Sequence, residues 1–130
     1  MSFDLYLFTP RAGEDPLDTI ERLEFEDDVA RRRDPAAAAR NDRILVALSA
    51  AHPAAREHRS ARSVSLVDDV LEIYLSRQYA VISVDYERAT DRDRVAADVN
   101  YALRVITIAT GWQLFEGPSS TSSGAVASLS

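Results

Sequence analysis

At 130 residues, with 46% hydrophobic and 28% charged side chains, the chain suits one globular core and lies far from the composition of disordered proteins. It has no cysteine, which excludes disulfides, thiolate catalysis and iron–sulfur ligation; it also lacks a recognisable secretory signal and any apolar run near the roughly 18 residues of a membrane span, so a cytoplasmic protein is expected. The net charge of −6 opposes nucleic-acid binding, which calls for a basic face, and suits a basic protein partner.

Asp4 to Phe8 alternate, with Leu5 and Leu7 on one face and Tyr6 and Phe8 on the other, the period-two pattern of a strand. Asp15-Pro16 then supplies a helix cap and a proline at the first helical position, and Leu17, Ile20 and Leu23 follow at helical spacing. An acidic cluster (Glu24, Glu26, Asp27, Asp28) and a basic run (Arg31 to Arg33) precede a second cap-and-proline start at Asp34-Pro35. The stripe Ala37, Ile44, Leu48 and Ala51 makes that segment an amphipathic helix, which Pro53 closes. Residues 54–63 carry Arg56, His58, Arg59 and Arg62 without apolar periodicity, as expected of an exposed connection.

Val64 and Leu66, followed by Asp68-Asp69, leave room for an additional short strand and turn. Leu71, Ile73 and Leu75 alternate with Glu72, Tyr74 and Ser76, and Tyr79 to Tyr86 is apolar at nearly every position, so the two segments form a hairpin whose second strand is covered on both faces. Thr90 with Asp93 has the spacing of a capping box; Val95, Val99, Ala102, Leu103 and Ile106 form one helical stripe, and Gly111 supplies a left-handed stop. Trp112 to Phe115 is a last strand. The expected fold is α+β: a four-stranded antiparallel sheet with helices on one face, in ferredoxin-like β-α-β-β-α-β connectivity with an extra helix in the first crossover. Residues 1–116 make the single domain and 117–130 a Ser/Gly-rich tail.

Little in the chain carries chemistry. His52 and His58 stand six apart, which is not the spacing of a helical zinc pair, and no cysteine accompanies them, so no metal is expected. His52 is explained by the dipole of the helix it ends. Ser119, Ser120, Ser122 and Ser123 lack a nucleophile-elbow context, and the glycines at 13, 111, 117 and 124 are too scattered to cradle a phosphate, so no catalytic residue and no cofactor are assigned. Binding to a protein is the remaining reading, through Asp27, Asp28, Asp68 and Asp69, whose charge would steer a basic partner, and through Tyr6, Phe8 and Tyr74, which share the sheet face turned away from the helices. That aromatic face could also serve a homodimer. The alternative is a small-molecule-binding or enzymatic domain that uses the open aromatic face with Asp85 as a base.

The opening Met1-Ser2-Phe3-Asp4-Leu5-Tyr6-Leu7-Phe8, the strand Ala80-Val81-Ile82-Ser83-Val84 and the segment Gly111-Trp112-Gln113-Leu114-Phe115 together resemble a group of small bacterial proteins, some of them similar to immunity proteins of contact-dependent or type VI toxin systems. The resemblance implies a stoichiometric inhibitor of a toxin, with no catalytic residues to carry over.

Overall fold

The computed structural model describes residues 2–30, 34–60 and 62–116; the expected tail at 117–130 and the arginines at 31–33 lie outside them. In chain order the elements are β1 (Ser2–Phe8), α1 (Pro16–Val29), α2 (Pro35–Ala51), β2 (Arg56–Arg59), β3 (Val64–Val67), β4 (Leu71–Leu75), β5 (Tyr79–Asp85), a 3-10 turn (Tyr86–Arg88), α3 (Arg92–Thr110) and β6 (Gln113–Glu116). Each helix starts on an aspartate that accepts a hydrogen bond from an otherwise unpaired first-turn N–H: Asp15 from Leu17 N at 2.8 Å, Asp34 from Ala37 N at 3.0 Å and Asp91 from Arg94 N at 3.1 Å. The cap of α3 is thus Asp91 and not Thr90, a carboxylate meeting the positive helix end better than a hydroxyl does. At the other end Gly111 adopts φ 74° and its N–H donates to the Thr107 carbonyl at 2.8 Å.

The sheet has six strands, not four, in the order β2-β3-β4-β5-β1-β6, with every neighbouring pair antiparallel. The four expected strands lie side by side as β6-β1-β5-β4, and β3 and β2 extend the sheet beyond β4. Residues 54–63 hid β2 because all four of its side chains are exposed. An edge strand wet on both faces has no apolar alternation to read, and its charges guard the open edge against other strands.

The helices occupy both faces of the sheet, which corrects the expectation of one. Leu5 and Leu7 pack with Ile44, Leu45 and Leu48 of α2 and with Val99, Ala102 and Ile106 of α3. On the opposite face Phe8, Tyr79 and Phe115 pack with Ile20 and Leu23 of α1. The physical reason is the aromatic content of that second face: three large rings left in water would forfeit several kcal/mol of burial, roughly 1.5–3 each, and α1 has an apolar stripe with no other place to go. The α1 helix also runs on through the acidic cluster to Val29. Among the described residues no helix is long and apolar enough to cross a membrane.

The depth of the main core sets a measurable contrast along α2. Leu48 is fully buried while Val46, two residues earlier, is 71% exposed. Leu48→Ala is expected to lower the unfolding free energy by about 3 kcal/mol, and Val46→Ala by less than about 0.5 kcal/mol, as read from urea unfolding midpoints.

Candidate functional site

Among the described residues α1 is the only α-helix on its side of the sheet, and it covers part of that face. The register shows what remains. Tyr6 of β1 and Tyr74 of β4 both stand opposite Val81 of β5, so the three side chains form one row across the sheet, with Ser65 of β3 beyond Tyr74. Two residues back along β1, Asp4 stands opposite Ser83, and Ser83 opposite Glu72, giving a parallel row that carries two carboxylates. Tyr6, Tyr74, Val81, Asp4 and Ser83 are half-buried and Glu72 is exposed. The face thus presents a tyrosine row and an acidic row beside α1.

The rings nearest the helix are structural. Phe8 stacks on Phe115 with ring centroids 4.5 Å apart and planes 21° apart, and Tyr79 meets Tyr74 at 5.8 Å. Phe8 is therefore core, sealed beneath Ile20 and Leu23, and not a partner-facing ring.

The electrostatics of the groove between α1 and these rows have one sign. Burial pushes the Tyr6 hydroxyl up from its ordinary pKa, and the charges of Asp4 and Glu24 push it further. Tyr79 is raised by burial, then by Tyr74, Glu24 and Asp27. Glu24 is raised by burial and by Asp28 and Glu21, its neighbours one turn on and one turn back along α1. The groups that act on these three are the carboxylates of Asp4, Glu21, Glu24, Asp27 and Asp28 and, for Tyr79, the Tyr74 hydroxyl; none is cationic, so the potential they set is negative.

Asp27 plays a different part. It is 5% exposed, and its carboxylate accepts from Ser76 Oγ at 2.7 Å, Arg77 Nε at 3.1 Å, Gln78 N at 3.2 Å and Gln78 Nε2 at 3.1 Å. This fastens the end of α1 to the β4–β5 turn. From the other face, Arg40 Nη2 of α2 donates to the carbonyls of Ser76 and Arg77, each at 2.9 Å, and Asn41 Nδ2 donates to Ser76 O at 3.0 Å, while the Arg40 guanidinium lies 4.6 Å from the Trp112 ring. Beside this network a cleft of about 680 Å³ opens between the N-terminal half of α2 and the β2–β3 hairpin. Arg59 bridges the hairpin to Asp42 of α2 at 2.7 Å, and Arg62 Nη1 donates to the carbonyls of Asp27 and Asp28 at the end of α1.

The seven acidic and aromatic positions singled out in the sequence separate accordingly. Tyr6 and Tyr74 lie on the α1 side of the sheet and border the groove, whereas Asp28 is exposed on the solvent side of α1. Asp27 and Phe8 are buried and spent on structure. Asp68 holds the β3–β4 turn by accepting from Val70 N at 2.8 Å and Leu71 N at 2.7 Å, and Asp69 is exposed next to it. Asp85, the base of the enzymatic alternative, caps the following turn by accepting from Glu87 N at 3.2 Å and pairs with Arg88 at 3.5 Å. His52 Nε2 is buried without a hydrogen-bond partner among the described residues. Asp4 and Glu72 were missed as site residues, while Glu24 belonged to the acidic cluster that the sequence offered. The first two were in phase with Tyr6 and Tyr74, two positions back along each strand.

Two substitutions test this division. Asp27→Ala should cost about 2–3 kcal/mol of unfolding free energy, somewhat below a fully buried pair because the Arg77 side chain is 36% exposed. Glu24→Gln should do the opposite near neutral pH. A carboxyl whose folded pKa is raised favours folding in its neutral form; that advantage is complete below the unfolded value near 4.3 and is lost as pH rises through the folded value. The melting temperature of Glu24→Gln should therefore exceed that of the wild type at pH 7 and match it at about pH 3, by calorimetry at both pH values. No family model matches the chain, and neither the curated proteins nor the solved structures contain a match to it.

Proposed function

We propose that the chain is a non-catalytic protein-binding module that holds a cationic surface of its partner against the tyrosine and acidic rows beside α1, in the manner of an immunity protein that neutralises a basic toxin in the cytoplasm. The observation that carries this reading is the acidic groove: beyond burial, the groups that raise Tyr6, Tyr79 and Glu24 are carboxylates and the Tyr74 hydroxyl, with no cation among them, and the half-buried Tyr6 and Tyr74 floor it. An arginine or lysine of a partner would meet carboxylates around its charge and a ring face beneath its stem, the combination that favours cationic and aromatic residues at protein interfaces. The chain's own residues 117–130 contain no charged side chain, so charge complementarity favours an external cation over this segment. The strand order β6-β1-β5-β4 supports a ferredoxin-like core, with β2 and β3 as an extension.

A small-molecule reading draws on the 680 Å³ cleft. Its polar lining is already engaged in the Arg59–Asp42 and Arg77–Asp27 pairs, so a polar ligand would have to displace an existing contact. The groove demands no such exchange, which favours the protein partner.

The test is calorimetric titration with the protein encoded beside this chain's gene. Binding is expected to weaken with salt, to weaken as pH falls and Glu24 takes up its proton, and to weaken by about tenfold or more on Tyr74→Ala or Glu72→Gln. Thr107→Ala, on the far side of the molecule, should leave it unchanged. Absence of binding at micromolar concentration, or binding indifferent to Tyr74 and Glu72, would overturn the proposal.

A further inference from the structure

The solvent faces of α1 and α3 each carry an exposed ring, and they point in opposite directions because α1 lies on one side of the sheet and α3 on the other. The solvent side of α1 carries Asp18, Glu21, Phe25 and Asp28, at successive spacings of three, four and three. The solvent side of α3 carries Arg94, Ala97, Tyr101 and Arg104 at the same spacings. Each stripe continues into an exposed aliphatic residue, Val29 on α1 and Ile108 on α3. Phe25, Val29, Tyr101 and Ile108 are 66%, 53%, 42% and 79% exposed, where a monomer would be expected to keep polar side chains. Asp18, Glu21, Asp28, Arg94 and Arg104 form no ion pair with one another or with any other described residue.

The two stripes match in three ways. The three-four spacing is that of a helix seam that packs against a second helix at a shallow angle. Laid parallel and in step, Asp18 meets Arg94, Phe25 meets Tyr101 and Asp28 meets Arg104. The signs are opposite at both ends and the rings meet between them. No fold of one chain can bring the stripes together, because the sheet separates them.

We propose that a second copy of this chain is the occupant of the α1 face, docking through its α3 face in a head-to-tail contact. Such a contact joins two different surfaces, so each added copy leaves one α1 face and one α3 face free, and the assembly grows in steps without closing as a two-fold dimer. Exposed charges and a single ring contact make it concentration-dependent and sensitive to salt. The residues differ from Tyr74 and Glu72, which test the partner groove, so the two proposals stand or fall separately.

Sedimentation velocity on the full chain between about 10 μM and 1 mM tests the contact. For the wild type, the average mass should rise with concentration and fall with added salt. Phe25→Ser and Tyr101→Ser each alter an exposed position, so the fold should survive, as circular dichroism will verify. Each variant alone should stay at 14.4 kDa. An equimolar mixture should form a species of two chains and nothing larger, because the first variant retains an intact α3 face and the second an intact α1 face. Asp28→Arg and Arg104→Asp should each weaken assembly, and the two combined in one chain should restore it. A wild type that stays monomeric at low salt, single variants that assemble like the wild type, or a mixture that remains monomeric would each overturn the proposal.

Discussion

The structure turns on the buried carboxylate of Asp27. The β4–β5 turn at Ser76, Arg77 and Gln78 exposes backbone groups that a tight hairpin cannot satisfy internally, and helices on opposite faces of the sheet converge on it. Asp27 of α1 receives the donors, while Arg40 and Asn41 of α2 supply donors to the carbonyls. A carboxylate removed from water is costly unless several hydrogen bonds surround it, and here they do. The turn is therefore clasped from both sides, and the clasp fixes where α1 lies across the second face.

The candidate site follows from that placement. One fourteen-residue helix cannot cover a six-stranded sheet, so it buries the rings at one end of the strands and leaves the next rows half open. Tyr6 and Tyr74 fall at the boundary between the aromatic core and water. Glu24 falls there too, on the side of α1 that leans toward the sheet, where burial and then the like charges of Asp28 and Glu21 raise its pKa. A charge arrangement that works against the free protein is one that a cationic partner would relieve, which is why the proposed binding surface is the groove rather than the better-formed cleft.

Much of this was legible in the sequence, and the failures have physical causes. The alternation in Leu5-Tyr6-Leu7-Phe8 and in Glu72-Ile73-Tyr74-Leu75 put Tyr6, Phe8 and Tyr74 on one face, and the register agrees. Caps at Asp15 and Asp34 and the stop at Gly111 were read from local chemistry, which carries its own signal. Where Asp27 would go could not be read, because its partners lie 49 to 51 residues away and nothing local separates a buried aspartate from Asp28 beside it. The strand β2 was invisible because periodicity reports burial, and β2 buries nothing. Whether the second face is open or covered could not be read, because the weak stripe of α1, Ile20 and Leu23, reads the same whichever side of the sheet it meets.

The β2–β3 hairpin has a further consequence. Its outer strand brings no apolar side chain into the core and is tied to the helices by Arg59 on Asp42 and by Arg62 on the last carbonyls of α1. Those tethers are electrostatic and lie at the surface, so dissolved ions compete with them directly, whereas the clasp at Asp27 is shielded. Salt should therefore loosen the contacts of β2 and the hairpin turn with the helices before it touches the clasp, while the ladder to β3, whose Val64 and Leu66 lie in the core, keeps the strand in place.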